Sequence, residues 1–265
     1  MSMPVKEGAT PPLGTPRPWR ADAGSLRLER ADVLRYLGYS GQELEAELVE
    51  RIDAAIEETR RNLAPRGTGA FFGIEALGAD DDGNPCIRLA DTTVVLTGRD
   101  IYRHLKDAHA AAVLAVTLGM ESERHLRVLS SQQPLDATLY DAACSALVEE
   151  AAEALDRKLK HDAATYGLAG NWRFSCGYGD LPLDAQRSLL DALDARRSLG
   201  ITLAPSNLMI PSKSITAVFG LFPTPSGERE AGMGILPAAD AVRSCRGCRV
   251  AAGCSFRSRR TTCWN

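Results

Sequence analysis

The densest group of chemistry-bearing side chains lies in Asn171-Trp-Arg-Phe-Ser-Cys-Gly-Tyr-Gly-Asp180. Gly177 and Gly179 flank Tyr178, so the backbone there can take positive φ and approach a bound group closely. Arg173 offers a planar fork of donors suited to a carboxylate. Tyr178 offers a flat apolar face ending in a hydroxyl, suited to covering a ring. The same residue types also suit a plain structural turn, and composition alone does not separate the two. A second group is Cys245-x-x-Cys248 with Cys254, then Cys263 near the end of the chain. In a reducing compartment, clustered cysteines serve metals or redox chemistry sooner than structural disulfides. Arg246, Arg249 and Arg257 would lower the thiol pKa values and offset thiolate charge. The set suits a [4Fe–4S] cluster or tetrahedral zinc, with Cys176 as an alternative fourth ligand.

Other candidates carry less. His104, His109 and His125 come from separate elements without metal-site spacing and read as surface or capping residues. Cys86 and Cys144 stand alone and read as small buried hydrophobes. Ser212-Lys213-Ser214 is too short to define serine chemistry, and the sequence has neither a Walker lysine motif nor a dinucleotide fingerprint.

The elements that must position these groups follow from periodicity. Residues 1–24 are rich in Pro, Gly and Thr and read as a disordered, mobile arm. Helices are expected over 31–37 and 41–62, the second with Leu44, Leu48, Ile52 and Ile56 on one stripe. Strands are expected over 69–77 and 86–96 around a turn-forming run. A helix over 101–109 then leads into 110–119, an apolar run suited to a strand buried on both faces. Further helices are expected over 121–130 and 136–163, the longer one with a dense charged face that includes Glu149, Glu150, Glu153 and Asp156. The pattern continues as a loop over 170–182 and a helix over 183–199. The stretch 201–221 is strand-like at both ends, and 227–234 could return as a strand. The mixture lacks strict βαβ alternation, which favours an α+β domain, with its boundary near residue 240.

Arg173-Phe-Ser-Cys-Gly-Tyr178, followed by Leu203-Ala-Pro-Ser-Asn-Leu-Met-Ile-Pro-Ser-Lys-Ser-Ile215, resembles the reactivation domain of cobalamin-dependent methionine synthase. That family carries Arg-x-x-Pro-Gly-Tyr, a helix, then Leu-x-x-Ser-x-x-Met-x-Pro-x-x-Ser-Val. Thr117-Leu-Gly119 and the long acidic helix resemble its free-standing members, as does Cys254-Ser-Phe-Arg257. The resemblance spans roughly residues 30–221; Cys176 stands where the family has proline. It implies a C-shaped single α+β domain over 25–240, with a twisted antiparallel sheet flanked by helices. It implies S-adenosylmethionine as ligand, with Arg173 on its carboxylate, the Ser175 backbone on its adenine, and Gly177 and Tyr178 along it. Glu149 matches the family's groove-lining glutamate; the residues alone also fit a solvated acidic face. The implied partners are the cobalamin-binding module of a methionine synthase or other corrinoid protein, and an electron donor such as flavodoxin or ferredoxin. The chain would then be a component of methionine synthase activity, reactivating cob(II)alamin in trans, rather than a complete enzyme.

Composition bounds these readings. With 45% hydrophobic and 25% charged residues, 265 residues make an ordinary globular chain of one large or two small domains. No run approaches the roughly 18 apolar residues of a membrane span, and the first twenty residues lack a secretory apolar core. A cytoplasmic protein is the expectation. Residues 241–265 hold six arginines and no acidic residue, leaving 25 basic and 34 acidic groups in the other 240. The Cys/Arg-rich tail therefore also admits a zinc-containing nucleic-acid-binding or docking protein of the same fold that binds no S-adenosylmethionine. The net −9 body ranks nucleic acid behind the corrinoid reading.

Overall fold

The computed structural model describes residues 11–21 and 25–224. Its backbone is an open antiparallel sheet of seven strands with helices on both faces. In chain order these are β1 (Arg17–Arg20), α1 (Arg30–Tyr36), α2 (Ala46–Asn62), β2 (Arg66–Ala79), β3 (Pro85–Leu89), β4 (Val95–Thr97), α3 (Arg99–Leu105), β5 (Ala110–Thr117), α4 (Met120–Gln132) and α5 (Pro134–Ala164). There follow β6 (Leu168–Gly170), α6 (Ala185–Ala192), α7 (Ala195–Leu199), β7 (Thr202–Leu203), β8 (Met209–Ile210) and β9 (Ser214–Pro223). The sheet runs β4-β3-β2-β5-β9-β6, with β1 also on β2; β7 and β8 form a separate small hairpin. The α+β class is what the sequence pattern implies, and the antiparallel sheet flanked by helices is what the resemblance implies.

β5 shows why both faces are covered. Every residue of Ala110–Thr117 is buried. Ala110, Ala112, Leu114 and Val116 enter one core with α1, α2 and α5, whereas Ala111, Val113 and Ala115 enter the other with α3, α6 and α7. A two-residue period on an all-apolar strand requires such a pair of cores. The long helix α5 lies on the first face and is about 46 Å long at 1.5 Å per residue. Its seat on the sheet is set by glycine: a Cβ on Gly67 would meet Leu155 Cδ2 at 2.9 Å, and one on Gly69 would meet Leu159 Cδ1 at 2.8 Å.

Several expectations change. Part of the segment expected as a mobile arm is paired: Arg17–Arg20 lies antiparallel to Arg66–Gly69, because the first half of β2 has a free edge opposite β5. The stretch 86–96 is a β3–β4 hairpin rather than one strand, turned at Asp91 with φ 57°. The helix expected over 183–199 is two, broken where Asp194 takes the left-handed conformation. The loop expected from 170 starts within β6, and Phe174 forms a bridge with Val218 of β9. The strand expected over 227–234 and the boundary near 240 lie outside the described residues. Among the described residues, no helix is long and apolar enough to cross a membrane.

Candidate functional site

The loop after β6 is fixed at its root before it reaches the candidate residues. Asn171 Nδ2 donates to the His104 carbonyl at 2.9 Å, and its Oδ1 accepts from Gly220 N at 2.7 Å. His104 Nε2 lies 2.8 Å from the Trp172 carbonyl, which can only accept, so Nε2 carries the proton and Nδ1 faces Asn171 Nδ2 at 3.3 Å as acceptor. The ring packs against Trp172 and Phe174. Burial lowers its pKa to about 4, so the imidazole is neutral near pH 7. His104 is thus a buried structural group rather than the surface or capping residue expected. Further along, Asp180 accepts from the backbone N–H groups of Arg99 and Asp100 at 2.7 and 2.9 Å, tying the loop to the first turn of α3.

Between these anchors the turn takes the shape its glycines allow. Gly177 and Gly179 have φ of 84° and 55°, a region that L side chains rarely adopt. Gly177 N donates to the Leu181 carbonyl at 3.0 Å, and Tyr178 N to the Ser175 carbonyl at 3.2 Å. The result is a tight turn with Tyr178 at its tip, 63% exposed. Cys176, raised above as an alternative metal ligand, points the other way. It is buried in the core on the α6 face, where burial pushes its thiol up to about 12 and leaves it inert.

Arg173 reaches the middle of α5. Its Nη2 lies 3.5 Å from Glu149 Oε2 and 3.2 Å from Glu153 Oε2. Glu149 and Glu153 are one helical turn apart and share a face. Every hydrogen bond and ion pair that the described residues make with the Arg173 side chain uses Nη2, and among those residues Nε and Nη1 have no bonded partner. One more turn along, Asp156 is buried and paired with Lys160 at 2.7 Å, while its Oδ1 has no partner among the described residues. Burial raises its pKa above the ordinary carboxylate range. Lys160 lies over the Phe219 ring, 5.2 Å from its centroid.

Tyr36 closes the same area from α1. Its hydroxyl is pushed up to about 12, chiefly by burial and next by the Glu149 carboxylate, with Tyr178 adding in the same direction. The Arg35 guanidinium, 5.5 Å from the Tyr36 ring centroid, opposes this. Tyr36 also borders a groove of about 460 Å³ between α1, α4 and α5, together with Leu126, Thr138, Asp141 and Ser145. Lys213, from the second motif, bonds Asp141 and Ser145 at 2.8 Å each. Both sequence motifs therefore converge on α5, Lys213 one turn before Glu149 and Arg173 at it.

Of the predicted residues, the structure brings Glu149 and Arg173 into contact and sets Ser175, Gly177 and Tyr178 on the adjoining turn. Sequence reasoning missed Glu153 as a partner, placing it on the solvated face; its i, i+4 spacing from Glu149 fits either reading until Arg173 is in place. It also missed Tyr36, for which local sequence carries no signal. Cys245, Cys248, Cys254 and Cys263 lie outside the described residues. Among the described residues, no group of three or more His, Cys, Asp or Glu is arranged to hold a metal ion.

No family model matches this sequence, and no curated protein matches it. A solved structure does. The chain is similar to the crystal structure of the MetH reactivation domain bound to AdoHcy, with a TM-score of 0.59 and 14% identity over 88% of this chain and 95% of that one. The fold is that of a methionine synthase reactivation domain.

Proposed function

We propose that this chain binds S-adenosylmethionine on the surface where the middle of α5 meets the 173–178 turn, and that it serves a cobalamin-binding module of methionine synthase, or of another corrinoid protein, in trans. The observation that carries the reading is the convergence of Arg173, Glu149 and Tyr178 on one surface of the fold. The residues suit the ligand's charges. Nε and Nη1 of Arg173 would take the carboxylate and Glu149 the ammonium, while the Tyr178 ring and the Ser175 backbone would lie along the sulfonium and purine. The ligand supplies an electrophilic methyl group; this chain binds and orients it. The solved domain of this fold carries AdoHcy, which supports the same ligand class here.

Titration calorimetry with S-adenosylmethionine and with AdoHcy tests the site. Arg173→Ala should weaken both by about tenfold or more, as expected for removing a charge-assisted bond worth about 1.5–3 kcal/mol. Unchanged affinity overturns the assignment. The partner is tested by adding the chain, S-adenosylmethionine and a reduced flavodoxin or ferredoxin to a methionine synthase core held as cob(II)alamin. Restored turnover that Arg173→Ala abolishes supports the role, and a core that recovers equally without the chain removes it.

For the tail, we infer a metal site at Cys245, Cys248, Cys254 and Cys263. A [4Fe–4S] cluster there could pass the electron, whereas zinc would be a structural clip. Anaerobic purification separates them. A brown protein bleached in Cys245→Ser/Cys248→Ser supports the cluster, and a colourless one with bound zinc rejects it.

A further inference from the structure

We propose that Glu153 is a two-position carboxylate: it occupies Arg173 while no ligand carboxylate is present, and passes to Arg157 when one arrives. The proposal rests on the ligand reading above, and it concerns how the site is kept ready.

Arg173 now serves two carboxylates through one nitrogen, Glu149 at 3.5 Å and Glu153 at 3.2 Å. A ligand carboxylate on its remaining edge would put three anions around one cation. At least one must leave, because like charges this close repel in a partly desolvated setting. The two glutamates are not equivalent. Among the described residues, Glu149 has an ion pair only with Arg173. Glu153 already has a second cation at hand: its Oε1 is 3.9 Å from Arg157 Nη1, four residues on along α5. Arg157 is itself steadied by Glu150 at 3.0 Å. Glu153 can therefore change partner by a side-chain rotation, without crossing to another element and without losing its counter-charge.

The exposures fit an exchange rather than a fixed bridge. Glu153 and Arg157 are 46% and 57% exposed, against 19% for Arg173. Exposed pairs are individually weak, so neither position traps the carboxylate. The buried Asp156–Lys160 pair one turn away has no such freedom, since its groups are 4% and 14% exposed. Glu153 is then an internal competitor for the ligand's own anchor, and Arg157 is the group that makes its displacement cheap.

The test is calorimetry of AdoHcy binding to the full chain and its Glu153→Gln, Arg157→Gln and doubly substituted forms. Removing the competitor in Glu153→Gln should tighten binding by about two- to fivefold, the range of an exposed ion pair. Arg157→Gln should weaken it by a similar factor, and should change nothing once Glu153 is Gln. Weaker binding in Glu153→Gln overturns the proposal, as does an Arg157→Gln effect equal in both backgrounds. Unchanged thermal midpoints show that the variants fold. If the wild-type chain binds neither AdoHcy nor S-adenosylmethionine, the ligand reading falls. The exchange is then decided with acetate as the minimal carboxylate, followed by the Arg173 side-chain N–H resonance. A response at lower acetate in Glu153→Gln than in wild type supports it, and identical responses overturn it.

Discussion

The loop that carries Arg173 is held by two polar clusters of opposite character. At its root, the buried His104 ring, the half-buried Asn171 and the Trp172 carbonyl form a neutral network. At its working end, Arg173, Glu149 and Glu153 form a charged group whose carboxylates stand half in solvent. Buried neutral bonds are costly to break because each orphaned partner is left without water. Half-exposed ion pairs are cheap to break because solvent replaces them. The first cluster fixes where the loop sits, and the second leaves its donors exchangeable.

That contrast can be broken from the structural side first. Asn171→Ala removes bonds to the His104 carbonyl and Gly220 N–H at once, and should cost about 3 kcal/mol of unfolding free energy in urea titrations. Titrating His104 should have a similar effect. Its folded pKa of about 4 lies below the unfolded 6.5, so the native state prefers the neutral ring. The stability it protects is complete above pH 6.5 and is lost as pH falls through about 4, amounting to about 3 kcal/mol. His104→Gln should flatten that part of the stability profile. Next comes Asp180→Ala, which strips two backbone N–H groups of α3 of their acceptor and should cost about 1–2 kcal/mol in the same assay. The smallest change in stability should belong to Arg173→Ala, below about 1 kcal/mol, although the proposed ligand site expects about a tenfold loss of affinity there. A loss of several kcal/mol there would erase the distinction between the two clusters.

The same contrast explains what was legible in the sequence. Gly177, Tyr178 and Arg173 declare themselves by local spacing, since a tight turn needs its glycines within a few residues of the side chain it presents. Glu149 stands out only through a motif resemblance, since the residues alone also fit a solvated acidic face. Glu153 is indistinguishable from a solvated acidic face until Arg173, twenty residues away, is folded against it. His104 sits in a helix whose sequence permits exposure, and its burial comes from Trp172 and Phe174 packing over it. Arg17–Arg20 look like part of a flexible arm because what orders them is the free edge of β2, a property of the assembled sheet. Local chemistry was readable, whereas contacts between distant segments were not.

The flush seat of α5 carries one more consequence. Because Leu155 and Leu159 rest where Gly67 and Gly69 have no side chain, the azimuth of the helix is keyed by missing atoms on the sheet. Glu149 and Glu153 lie on that same helix, so the bare backbone of β2 helps to set where the partners of Arg173 stand without touching them. The sheet's bare patch is, in effect, the zero mark from which the charges on this face of α5 are measured.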